Sequence, residues 1–167
     1  YGDTRVIERH WASMTRFMDW RKQRAPDLRG RKDGNTWGDW LNVNEETPIE
    51  MIDAAYFVHD AQLMAEMAGA IGRTAESQAY RDLHKRLAAQ FASDSLRPDG
   101  TLEVDTQTAY VLAARLAGIP VTRGTGIVTH LADKIAKNEH RMATGFLGTK
   151  HLLPALTEGG YDDLAAR

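Results

Sequence analysis

Residues 47–72 read TPIEMIDAAYFVHDAQLMAEMAGAIG, and this stretch decides the fold. Thr47 is placed to cap a helix, Pro48 suits its first position, and Glu50 completes a capping box. Gly72 supplies the stop. Between them Met51, Ile52, Ala55, Tyr56, Leu63, Met64, Met67 and Ile71 leave no broad polar face. A helix apolar around most of its circumference must be covered from several sides.

Its neighbours differ. From about Thr4 to Arg24, Val6, Ile7, His10, Trp11, Met14, Phe17 and Met18 recur every three or four residues, the stripe of an amphipathic helix ended by Pro26. A third helix, with Thr74 as its cap, carries Tyr80, Leu83, Leu87 and Phe91 on one side. After the Pro98-Asp99-Gly100 turn, a fourth runs from Asp105 or Thr106 to Ala117. A fifth spans about Thr122 to Asn138, with Ile127, Val128, Leu131 and Ile135 on one face. A sixth begins near Thr149, carries Leu152, Leu153 and Leu156, and stops at Gly159-Gly160; Pro154 is assigned to its first turn. Tyr161–Arg167 opens one more helix. No stretch alternates with a period of two, so the reading is all-α. Apolar helices two, four and six alternate with amphipathic helices one, three and five. That pattern predicts a partial α/α toroid of about six antiparallel helices in inner and outer layers.

In such a ring the inner helices point the same way, and the loops before them gather at one end. Those loops hold Asp39-Trp40, Asp105-Thr106-Gln107 and Thr144-Gly145-Phe146-Leu147-Gly148-Thr149. Asp105 stands where a helix cap belongs, with Thr106 or Gln107 bonding neighbouring helix ends. Trp37 is assigned to packing beneath its loop. Glu45-Glu46 are adjacent and so diverge; they are read as favouring the N-terminus of the helix that follows. Gly145 and Gly148 permit a tight bend and are no phosphate cradle, since no strand precedes them and no Lys holds the P-loop position.

The totals narrow the function. With 167 residues, 43% apolar and 26% charged, the chain supports one globular domain. A formal charge of −2 with dispersed Lys and Arg argues against nucleic acid. No apolar run spans a bilayer, so no membrane partner is expected. With no cysteine, disulfides, thiolate catalysis and Cys-based zinc sites are excluded, while the compartment stays open. The six histidines form no zincin-like spacing and no calcium-loop spacing occurs, so no metal or cofactor is expected.

Four stretches in order, Tyr1-Gly2-Asp3, Gly38-Asp39-Trp40-Leu41, Asp105-Thr106-Gln107-Thr108-Ala109-Tyr110 and Thr144-Gly145-Phe146-Leu147-Gly148-Thr149, continued by Leu152-Leu153-Pro154-Ala155-Leu156-Thr157, resemble the catalytic barrel of the α-L-rhamnosidases of glycoside hydrolase family 78. The resemblance covers essentially the whole chain. It implies an (α/α)6 barrel of twelve helices, of which this single domain is about half, and an inverting hydrolysis of rhamnose-containing glycosides. Inversion needs two carboxyls about 6.5–9.5 Å apart. In the family one lies upstream of the Tyr-Gly-Asp stretch and the other downstream of the Thr-Gly-Phe stretch, so no catalytic residue is assigned here. The resemblance places Trp40 in the wall of the sugar pocket, where an indole suits the apolar methyl of a 6-deoxy sugar. Asp39 is the candidate acceptor for a sugar hydroxyl. The chain's ends read as cuts through a larger protein.

A helical-repeat interaction module would also alternate inner and outer helices. Its loops would not concentrate Trp and Gly, and no fixed-period consensus recurs here. Half a ring should leave helix faces bare, with Trp11, Met14, Phe17 and Met18 on one flank. Such patches favour self-association.

Overall fold

The computed structural model describes residues 2–32, 37–121 and 126–167. Among the described residues seven helices follow in order: α1 (Arg5–Arg24), α2 (Ile49–Ala70), α3 (Thr74–Ser95), α4 (Gln107–Arg115), α5 (Ile127–Lys137), α6 (Phe146–Glu158) and the short α7 (Asp162–Ala165). Among the described residues the only extended pairing is one isolated bridge, Leu96 with Leu102. The fold is all-α. Tyr1 and the expected start of helix five near Thr122 lie outside the described residues.

The two layers are present. α2, α4 and α6 lie side by side, α4 touching both of the others, while α1 and α3 pack on α2 and α5 packs on α4. Burial follows the sequence pattern. α4 buries Gln107 through Ala113 without a break, all round its circumference. α5 buries only the stripe Ile127, Val128, Leu131, Ala132 and Ile135. A helix with a single apolar stripe can cover a core but cannot sit inside one.

Several local expectations change. Thr47 does not cap α2: the cap position is Pro48, and the Thr47 hydroxyl is buried 2.6 Å from that of Thr106. Thr74 is the first helical residue of α3 and not its cap. At α4 the cap is Thr106, whose Oγ1 accepts from the Ala109 N–H, while Asp105 is exposed and faces Lys134. α6 starts at Phe146, three residues before the expected Thr149, which puts Pro154 in its ninth position. The proline ring removes one helical hydrogen bond there. The flank differs too. Trp11 and Met18 are buried; the Trp11 ring meets Tyr80 edge-on at 6.3 Å, and its Nε1–H donates to Glu76 at 3.1 Å. Phe17 and Trp20 are the exposed aromatics of α1.

Candidate sugar-binding site

The loops that precede the inner helices meet. The Phe146 N–H donates to the Trp40 carbonyl at 3.0 Å, and the Val43 N–H to the Ala143 carbonyl at 3.0 Å. The Gln107 side chain, fully buried, donates to the Arg141 carbonyl at 3.1 Å and accepts from the Ala143 N–H at 2.9 Å. The segments around residues 40, 107 and 146 therefore form one mouth.

What joins them is helix capping supplied at long range. A helix leaves its first N–H groups without internal partners, and α6 begins at a glycine that has no side chain to offer them. Asp39 takes their place. Its Oδ1 accepts from Leu147 N–H at 2.8 Å and Gly148 N–H at 3.2 Å; its Oδ2 accepts from Gly145 N–H at 2.7 Å and from the Thr108 hydroxyl. Glu45 treats α4 similarly: Oε2 accepts from the Gln107 N–H at 2.6 Å while Oε1 pairs with Lys134 at 3.2 Å. It serves α4, not the α2 N-terminus expected from its position in sequence. A carboxylate at a helix N-terminus gains from charge-assisted hydrogen bonds and from the helix dipole together.

Asp39 is 2% exposed and its oxygens are filled by four protein donors, so it is occupied in organising the mouth and offers no free acceptor to a sugar. Trp40, next in sequence, is 50% exposed. Gly38 and Leu41, with φ of 60° and 63°, bracket the pair in left-handed conformations, and Leu41 is a residue type that seldom adopts one. The Asn42 N–H closes the turn onto the Asp39 carbonyl at 3.1 Å. The turn buries the aspartate and leaves its neighbour's indole outside.

The indole has aromatic company. Phe146 meets it edge-on with centroids 5.3 Å apart, and Trp37 lies 6.1 Å away at 50°. Trp37 is 77% exposed and does not pack beneath the loop. From Trp37 a cleft of about 440 Å³ continues past Gly38 and Leu147 to Ile52, Tyr56 and Trp20. Clefts in this size range hold small ligands, and flat aromatic walls suit the C–H faces of sugar rings. The partnership of Trp40 with Phe146, and the capping roles of Asp39 and Glu45, were not visible in sequence. The run of Gly, Phe and Gly at 145–148 was their only signal.

The glycines are set by close approach. A Cβ on Gly145 would collide with the Trp40 and Asp39 carbonyl oxygens, and one on Gly148 with Thr108 and Thr144. Among the described residues no cluster of three or more His, Asp or Glu could hold a metal ion, and no helix is long and apolar enough to cross a membrane.

Paired helices in two layers, with an aromatic mouth where the inner helices begin, define the helical-hairpin glycosidase class. Residues 1–167 match the bacterial alpha-L-rhamnosidase 6 hairpin glycosidase domain, and the chain belongs to that family. An alpha-L-rhamnosidase of Streptomyces avermitilis is 36% identical over 167 residues, covering 100% of this chain and 16% of the relative. The crystal structure of a Streptomyces avermitilis alpha-L-rhamnosidase complexed with L-rhamnose superposes with a TM-score of 0.90 at 34% identity, over 99% of this chain and 16% of that one. The alpha-L-rhamnosidase of Dictyoglumus thermophilum gives 0.87 at 26% identity, over 99% and 19%. The chain thus spans about a sixth of the length of the Streptomyces relative.

Proposed function

We propose that this chain forms part of the rhamnose-binding wall of an inverting α-L-rhamnosidase barrel, and that residues 1–167 are one domain making about half of the ring. The carrying observation is the half-exposed Trp40 indole, braced by Phe146 at the mouth where the inner helices begin. The complex of the Streptomyces relative with L-rhamnose supports a rhamnose-containing glycoside as the substrate of the whole enzyme. Trp40 would lie against the apolar methyl and ring C–H groups of the sugar. Asp39 would act through position: by holding the bend at 145–148 it fixes the Phe146 ring that braces Trp40.

The proposal assigns neither the general acid nor the general base to this chain. Inverting hydrolysis requires both, on opposite sides of the sugar. The purified 167 residues should therefore not turn over p-nitrophenyl α-L-rhamnoside. Robust hydrolysis would place the catalytic pair within them and overturn the assignment. The chain should bind L-rhamnose weakly, read by tryptophan fluorescence, and lose that binding on Trp40→Ala. The same reading includes self-association of the chain through its bare flank.

A further inference from the structure

The loop that carries Trp40 is tied down on both sides of the indole. Beyond the Asp39 bonds to the start of α6, the Val43 N–H donates to the Ala143 carbonyl at 3.0 Å, Glu45 Oε2 accepts from the Gln107 N–H at 2.6 Å, and the Thr47 hydroxyl meets that of Thr106 at 2.6 Å. Gln107 closes a circuit. Its buried side chain accepts from the Ala143 N–H at 2.9 Å, and the carbonyl of the same Ala143 holds Val43, a near neighbour of Glu45 in the loop. Glu45, Gln107, Ala143 and Val43 therefore support one another in turn, and Trp40 stands just before them in the chain.

Glu45 is the charged member of the circuit, and its cation comes from the outer layer. Lys134 of α5 places Nζ 3.2 Å from Glu45 Oε1 and 3.3 Å from Asp105 Oδ2. α5 packs on α4, and Leu131 and Ile135 on either side of the lysine are buried, so its backbone is fixed against the inner helix. The two carboxylates differ. Asp105 has a side chain 67% exposed and is solvated, whereas that of Glu45 is 20% exposed. A carboxylate so covered keeps its place only beside a cation and hydrogen-bond donors; otherwise it turns out to water. Without Lys134, Glu45 would also stand near the like charge of Asp105, and turning away would release the Gln107 N–H. We propose that Lys134 is a positioning residue for the sugar wall, holding the loop that presents Trp40 through Glu45 and Gln107. Its consequence for sugar binding rests on the proposed role of Trp40; the linkage from α5 to the loop does not.

Amide hydrogen exchange, read residue by residue by NMR on the chain and its variants, tests this. Lys134→Met keeps the aliphatic stem and removes the charge. Exchange at Gln107, Ala143 and Val43 should quicken about tenfold, because local opening sets those rates. Gly145 and Leu147, which Asp39 holds, should exchange as before. Lys134→Arg should restore the original rates by restoring the cation. Adding Glu45→Gln to Lys134→Met should cost much less than the two changes summed, since both break the same link. In a rhamnose titration followed by tryptophan fluorescence, Lys134→Met should raise Kd about fivefold, because a looser wall is less preorganised. Lys134→Arg should leave Kd unchanged. Faster exchange spread evenly over the chain would overturn the proposal, as would failure of the arginine to rescue, effects at positions 45 and 134 that merely add, or an unchanged Kd in Lys134→Met. If the unmodified chain binds no rhamnose, the sugar-wall reading fails instead, and exchange at Val43 and Gln107 decides the linkage by itself.

Discussion

Asp39 and Gly145 stand 106 positions apart and are joined by a 2.7 Å hydrogen bond from the glycine N–H to Oδ2 of the aspartate. The bond belongs to a set in which the loop before α2 supplies the missing cap of α6 through Asp39 and, through Glu45, a second N-terminal acceptor for α4 beside its own cap Thr106. The first residues of the inner helices are thereby held in register with one another and with the indole of Trp40.

Asp39→Asn replaces one acceptor oxygen with an amide that faces donors. It should destabilise the fold by about 3 kcal/mol, because buried N–H groups lose a charged partner. Urea unfolding measures this, and the rhamnose-induced fluorescence change should shrink as the mouth loosens. Full stability in this variant would remove Asp39 from its organising role.

Gly145→Ala places a methyl on two carbonyl oxygens of the Asp39-Trp40 turn. Relief requires the backbone to move, at a cost of about 1–3 kcal/mol typical of overpacking. The signature is a fall in thermal midpoint accompanied by a changed tryptophan emission, since the displaced turn carries Trp40.

Trp40→Ala should separate binding from stability. The ring is half exposed and its main contact is Phe146, so unfolding should shift by no more than about 1 kcal/mol. Rhamnose binding should disappear. Parallel losses of both would return the ring to a packing role.

Thr47→Val tests the buried hydroxyl pair. It leaves Thr106 without its 2.6 Å partner while Thr106 still caps α4 through the Ala109 N–H. A loss of about 1–2 kcal/mol is expected, the usual effect of removing one side of a buried hydrogen bond. Equilibrium denaturation gives the value directly.

Stability should fall between about pH 7 and pH 5, around the ordinary histidine pKa. His59 on α2 and His151 on α6 both have their pKa lowered, first by burial and then by Lys150. A histidine whose folded pKa is depressed binds protons more readily when unfolded. Its contribution is therefore complete above the unfolded value of about 6.5 and is lost as pH falls through the folded one. Thermal unfolding from pH 8 to pH 5 should show this slope. His59→Gln should flatten it, and an unchanged slope would assign the effect elsewhere.

The alternation of all-round apolar segments with single-stripe segments was enough to read two helical layers, because burial on several sides and burial on one demand different compositions. For that reason α2 and α4 were legible as inner helices and α5 as an outer one. Charged and polar roles were not legible in the same way. Thr47 and Glu45 suited the start of the helix that follows them and Asp39 a sugar hydroxyl, yet each serves a helix that begins 60 or more residues later. A hydrogen bond depends on where two groups meet, and local sequence carries no record of a partner brought by the fold. Exposure followed the same division. Helical periodicity identified the apolar stripe of α1, but only the packing of α1 on α2 and α3 decided that Trp11 is covered while Phe17 and Trp20 are bare. The sequence by itself determined which segments are helices and which of them must lie inside. The tertiary structure alone decided which side chains cap, which brace and which face outward, because those roles are set by contacts between distant parts of the chain.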